Sequence, residues 1–185
     1  MVAGAADYNE QADKNGWVSL CDASVTFNHP DLRRLLGLWR KQAKSGIPLR
    51  RDMTARVLKS FLPDIAICER LTGDGQRRYR VSIMGVWFAQ LLGNITGKYL
   101  DDMLPPEHLP RWQAALDATL ADGVPLRFLA RTDTSAMSFL NGEYLVAPLL
   151  ADNGSPSFVL AAGRFTGGRS WEDVKAEARL ALGLK

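Results

Sequence analysis

The chain has 185 residues, 46% of them hydrophobic and 23% charged, an ordinary globular composition that suits one domain with extensions. Its 23 Lys and Arg against 20 Asp and Glu leave a net charge of +3, too small to point to nucleic acid, and the arginines are spread over several elements with little aromatic interleaving. Two distant cysteines, Cys21 and Cys68, exclude a disulfide framework and suit a reducing cytoplasm, and neither a membrane-spanning apolar run nor a secretory signal is present.

Residues 1–27 are small, polar and aperiodic, with Trp17, Val18, Val25 and Phe27 as the only apolar anchors. They read as a flexible N-terminal arm. Residues 28–62 read as an N-terminal helical extension. Within it Leu32, Leu35, Leu36, Trp39 and Ala43 recur at helical spacing, with Arg33, Arg34, Arg40, Lys41 and Lys44 opposite. Pro30 and Asp31 suit a first turn, and Gly46 with Pro48 stops the helix. Its apolar stripe has two readings that can coexist: packing on the chain's own sheet, or contact with a second copy. Thr54 reads as the N-cap of a short helix carrying Val57, Leu58 and Phe61.

Residues 63–167 read as the core. Ile65 to Glu69 and the alternating strand around Tyr79, Val81 and Ile83 flank Thr72-Gly73-Asp74-Gly75 and form a hairpin. Gly85 bends the chain into an apolar run, Val86 to Leu92, which Gly93-Asn94 ends. Thr96-Gly97-Lys98, a second short turn and Pro105-Pro106 lead to a helix carrying Leu109, Trp112, Leu116 and Leu120, closed by Gly123. Three strands follow, Leu126 to Thr132, Leu140 to Leu150 and Ser157 to Thr166. Pro148 must sit near a strand end, at a bulge or facing an edge, since it has no N–H to donate. Residues 168–185 read as a C-terminal helix capped by Ser170. The pattern predicts an α+β domain with a five-stranded antiparallel sheet, helices on one face, and flanking helices at both ends.

The helix with Trp39, then Arg51-Asp52-Met53, Leu62-Pro63, Arg78-Tyr79-Arg80 and Leu92-Gly93 through Thr96-Gly97-Lys98-Tyr99-Leu100-Asp101 together resemble a family of small, mostly single-domain bacterial PAS proteins, over residues 29–166. That resemblance implies a PAS core at 63–167 with strand order 2-1-5-4-3. It implies a sensory or signalling module acting through a small ligand, a protein partner, or a homodimer formed by the N-terminal helix. Because the chain stops after one C-terminal helix, no effector domain is expected.

Catalytic motifs are missing. Gly93 to Lys98 has the wrong spacing for a phosphate loop, G-x-S-x-G is absent, and no Cys/His cluster could hold zinc. His108 could be set against a haem-ligating histidine of some PAS proteins, but a surface or capping role fits its Pro-Glu-His-Leu-Pro setting better. Light-sensing PAS domains carry Asn-Cys-Arg-Phe-Leu-Gln where this chain has Phe88-Ala89-Gln90-Leu91-Leu92-Gly93, which argues against a flavin adduct. Asp64 and His108 are the only candidates for an isomerase-like or dehydratase-like site, and the reading is that the chain is not an enzyme. The candidate pocket is Tyr79, Val81, Trp87, Phe88, Trp112, Phe128 and Tyr144, between sheet and short helices. The same residues could fill the space completely, as a structural adaptor with a packed core would require.

Overall fold

Residues 3–43, 46–73, 76–132 and 140–183 are described by the structure, a computed structural model. Three hairpins account for most of the sheet. β2 (Ile65–Gly73) pairs with β3 (Gln76–Met84), β4 (Leu126–Arg131) with β5 (Asn141–Leu150), and β5 with β6 (Pro156–Thr166), all antiparallel. Residues 74–75 of the first turn lie outside the described residues. β6 closes on β2. A further strand, β1 (Ser19–Asp22), pairs with the outer edge of β4.

The sheet therefore has six strands, ordered β1-β4-β5-β6-β2-β3, and not five in the order 2-1-5-4-3. The difference is β1, which comes from the stretch read as a flexible arm. Residues 3–22 are built into the fold: α1 (Ala3–Asn15) leads directly into β1. The signal is faint because α1 packs with small residues. Ala5, Tyr8 and Ala12 are its buried apolar face, and Gly4 lies so close to α5 (Leu109–Asp122) that a Cβ there would stand 2.8 Å from the Ala118 carbonyl oxygen. The Asp122 carboxylate accepts from the Gly4 and Ala5 N–H groups at 2.8 and 3.0 Å and caps α1 across the helix pair. Asn9 acts as a substitute strand: its amide accepts from Cys21 N and donates to Cys21 O, at 2.7 and 2.9 Å. The outer edge of β1 is thereby paired at Cys21.

Helices cover both faces of the sheet, not one. The inner face carries α1, α5 and the short helices α3 (Val86–Leu92) and α4 (Leu100–Met103). The outer face carries α2 (Pro30–Ala43), the 48–64 segment and α6 (Trp171–Leu182). β5 accordingly is buried from Asn141 to Leu149. Tyr144 and Val146 face inward, while Leu145, Ala147 and Leu149 face α2. Residues 54–61 form turns and not a helix; Thr54 still caps them, its Oγ1 accepting from Val57 N. Pro148 pairs with Val159 but lies beyond Val146, where β4 stops, so no strand waits for its missing N–H.

One buried ion group ties these layers together. Arg127 of β4 donates through Nε to Glu143 of β5 at 2.7 Å and through Nη1 to Asp22 of β1 at 3.0 Å. Glu143 also accepts from the Asn28 and His29 N–H groups just before α2. At the other end, Asp13 of α1 holds α6 through Lys175 at 3.1 Å and Arg179 at 3.0 Å.

Two outcomes test these contacts. Arg127→Met leaves two buried carboxylates without their cation and should cost about 3–5 kcal/mol in urea unfolding; a loss under about 1 kcal/mol would contradict the role given to this arginine. The Arg179 and Lys175 contacts hold the Asp13 carboxyl below its usual value of 3.8. Its contribution is therefore present above the ordinary carboxylate range and lost as pH falls through its folded value. Trp171 fluorescence should report α6 loosening on acidification below about pH 4, and Asp13→Asn should loosen α6 already at pH 7. Half-exposed and salt-screened, this latch acts locally, not on global stability.

Candidate functional site

Six of the seven pocket candidates share the inner face, on five different elements. Tyr79 and Val81 come from β3, Phe88 from α3, Phe128 from β4 and Tyr144 from β5, all buried, with Trp112 of α5 partly buried against them. Trp87 does not join them and is 55% exposed beside Val86 at 62%. Gly85 abuts the backbone of Leu62 and Pro63 with no room for a Cβ, which fixes where α3 starts. Successive helical residues point about 100° apart, so with Phe88 turned inward its predecessor turns out.

Aromatic side chains fill most of the inner face. Trp112 meets Tyr144 edge-on at 5.8 Å between ring centroids, and Tyr144 meets Phe165 in the same way at 5.8 Å. Tyr8 packs edge-on against Phe128 at 4.9 Å and donates or accepts a 2.7 Å hydrogen bond with Ser19 Oγ. Such pairs contribute roughly 0.5–1.5 kcal/mol each beyond burial. The cavity left among Tyr8, Trp112, Phe128 and Tyr144 is about 30 Å³, room for a single water and not for an organic ligand. Sequence reading missed Tyr8 and Phe165. The Ala5, Tyr8, Ala12 spacing was the available signal for the first.

Tyr144 lies over two glycines. A Cβ on Gly142 would stand 2.5 Å from the Tyr144 Cε2, and one on Gly163 3.0 Å from the same ring. Tyr79 is anchored at its tip, donating to Asp117 Oδ1 at 2.6 Å. Burial first, and the Asp117 carboxylate second, push its phenol well above the ordinary value. Burial also pushes both thiols up, Cys68 to about 12, so neither is a ready nucleophile at neutral pH.

The Arg78-Tyr79-Arg80 and Thr96 to Asp101 stretches form one clip. Gly97 N donates to Val81 O, and Val81 N donates to Lys98 O, at 2.7 and 2.9 Å. The turn thus covers the free edge of β3. Arg78 donates to Asp101 and Asp102 at 2.7 Å each and stacks over Tyr99 at 3.9 Å. The hydrogen bond to Asp101 raises the Arg78 pKa further above its ordinary value.

The stripe considered as an interface is covered by the chain itself. Leu32, Leu35, Leu36 and Trp39 are buried on the outer face of the sheet, with Ala43 half-buried at its end. Trp39 Nε1 donates to Pro148 O at 2.9 Å. What α2 presents outward is charge. Arg40 and Lys41, with Arg56 and Lys59 of the neighbouring turns, are exposed and form no ion pair among the described residues. Arg34 lies over Phe61 at 5.6 Å, joining α2 to that segment.

His108 lies at the start of α5 and lines neither the inner cavity nor the outer cleft. Asp64 accepts from Arg164 Nη2 at 2.7 Å, a structural pair and not a free base. Among the described residues no group of three or more His, Cys, Asp and Glu could hold a metal ion, and no helix is long and apolar enough to cross a membrane. A larger opening, about 560 Å³, lies on the outer face between residues 22–30, β4, β5 and α6.

A family described as "PAS domain" matches residues 27–163. No curated protein matches. Among solved structures, an RNA-binding light-oxygen-voltage receptor aligns at TM-score 0.43 and 15% identity, over 75% of this chain and 41% of that one. The light-state Aureochrome1 LOV domain aligns at 0.42 and 16% identity, over 66% and 95%. A light-oxygen-voltage domain studied with a flavin analogue aligns at 0.43 and 12%, over 69% and 93%.

The glycine under Tyr144 gives a direct check on the packed inner face. Gly142→Ala should destabilise the protein by about 1–3 kcal/mol through overpacking and shift the near-ultraviolet circular dichroism of Trp112 and Tyr144. An unchanged melting temperature and spectrum would mean the ring has space to move.

Proposed function

The chain belongs to the PAS domain family, and from that premise we propose that it is a signalling module acting through an acidic protein partner docked on its outer layer, without catalysis and without a ligand in its inner core. The observation that carries this reading is the distribution of charge. Residues 28–62 hold nine Lys and Arg against two Asp, while the rest of the chain holds 14 basic residues against 18 acidic ones. On the outer side of the sheet, α2 and the 48–61 segment carry all of these cations except Lys44, which lies outside the described residues. A one-signed surface raises the encounter rate with an oppositely charged partner and disfavours others.

Val86 and Trp87 supply an apolar contact at the border of this layer, because Gly85 packs on Leu62 and Pro63 directly after the basic turns. Trp is enriched among the residues that dominate binding energy at interfaces. The filled inner face supports a signal carried by contact over one carried by a ligand held there. A homodimer through the apolar stripe of α2 loses its basis, since that stripe is covered.

The test is to recover the partner by in-cell cross-linking and mass spectrometry, purify it, and titrate it against the wild type, Arg40→Glu/Lys41→Glu/Lys59→Glu, and Trp87→Ala. The wild type should bind more weakly as salt rises. The charge-reversed protein should lose about tenfold or more in affinity with an unchanged melting temperature, and Trp87→Ala about as much. A partner that binds all three proteins equally, or none recovered, would overturn the docking reading.

A further inference from the structure

The outer cleft has the make-up of a small-molecule site. Its volume of about 560 Å³ falls within the range of about 300–1,000 Å³ seen for ligand pockets. Its floor is the buried Asp22–Arg127–Glu143 group, in which the Arg127 side chain is 9% exposed. One wall is apolar, from Leu129 of the sheet and Val174, Ala178 and Leu182 of α6. The rim is polar, with His29, Arg164 and the Arg169–Glu177 pair.

On the floor every carboxylate oxygen already accepts a hydrogen bond, while the guanidinium has N–H groups not used with the described residues. Both carboxylates are occupied. Asp22 accepts from Ser24 N and Arg127 Nη1, and Glu143 accepts from Asn28 N, His29 N and Arg127 Nε. A guanidinium has five N–H donors, and Arg127 uses only Nε and one on Nη1 with the described residues. Arg127 N–H donors therefore remain for an accepting group at the floor of the cleft. The lining carboxylates Asp22, Glu143 and Glu177 match the lining arginines 127, 164 and 169 in number, so the cleft has no excess of negative charge to draw a cation.

We propose that this cleft binds a small amphipathic molecule with a hydrogen-bond-accepting head, a carbonyl or carboxylate, seated on Arg127, and a short apolar body lying along Val174, Ala178 and Leu182. The site is on the opposite face of the sheet from the filled inner core, and it does not depend on the docking of a protein partner. Because α6 forms its wall, an occupant would bridge the C-terminal helix to β4 and β5.

The probes are octanoate, octanamide and octylammonium, titrated into the full chain and followed by ¹H–¹⁵N chemical shifts. Octanoate or octanamide should saturate with Kd below about 1 mM and shift Gly142, Leu129, Ala181 and the Trp171 indole. Octylammonium should bind at least about tenfold more weakly. A preference for octanoate would make the natural head group an anion, and a preference for octanamide a neutral carbonyl; either supports the site. Ala181 lines the cleft yet is exposed on α6, so Ala181→Trp should fill the cleft, keep the melting temperature and weaken binding about tenfold or more. No saturable shift with any probe, octylammonium binding as well as the others, shifts confined to the inner face, or unchanged binding by a folded Ala181→Trp would each overturn the proposal.

Discussion

Arg127 is the joint on which three layers of this molecule depend. It sits in a β-strand, where a charged side chain facing a covered sheet surface would ordinarily be excluded by the cost of desolvation. Two carboxylates from neighbouring strands make it tolerable, Asp22 and Glu143, and the second of these also fixes the chain entering α2 through the Asn28 and His29 N–H groups. The edge strand, the sheet centre and the outer helix are thereby held in one register. An apolar triad could pack the same space, but it would not satisfy the two backbone donors or select this arrangement of the N-terminal segment.

With both sheet faces covered, the two sides take different characters. Among the described residues the inner side is aromatic and leaves a cavity of about 30 Å³ beside Tyr8, Trp112, Phe128 and Tyr144. Tyr8 from α1 occupies space beside Trp112, Phe128 and Tyr144, and two glycines give Tyr144 its place. The outer side is charged and open, with a basic layer over α2 and a cleft under α6. The basic layer and the cleft lie on that side, and both functional readings rest on them although the sequence drew attention to the aromatics. The residues that mark the family are structural in this protein. Arg78, Tyr99, Asp101 and Asp102 clip the β3 edge, and the Thr96-Gly97-Lys98 turn pairs with Val81.

Much of the site was legible as composition and little as position. Tyr79, Val81, Phe88, Trp112, Phe128 and Tyr144 were identifiable because alternation and helical spacing mark an inward face. Trp87 was misplaced because an aromatic residue in a short helix carries no sign of which side its helix presents; the contact of Gly85 with Leu62 and Pro63 decides that. The cleft had no signal at all. Asp22 lies 105 residues from Arg127, and Asp22, Arg127 and Glu143 each alone read as a surface charge.

By itself the sequence determined the local elements. The hairpins, the amphipathic α2, the Ser170 cap and the Gly123 exit follow from periodicity and from the backbone freedom of a few residues. It also pointed to the family, through a set of short motifs between Trp39 and Asp101. Only the tertiary structure decided that residues 3–22 are built into the fold, that helices cover both faces of the sheet, and that the apolar stripe of α2 belongs to the chain's own core. Those outcomes rest on contacts between small side chains and paired charges more than 100 residues apart. Local propensity carries no trace of such contacts, because their free energy exists only once the surfaces have met.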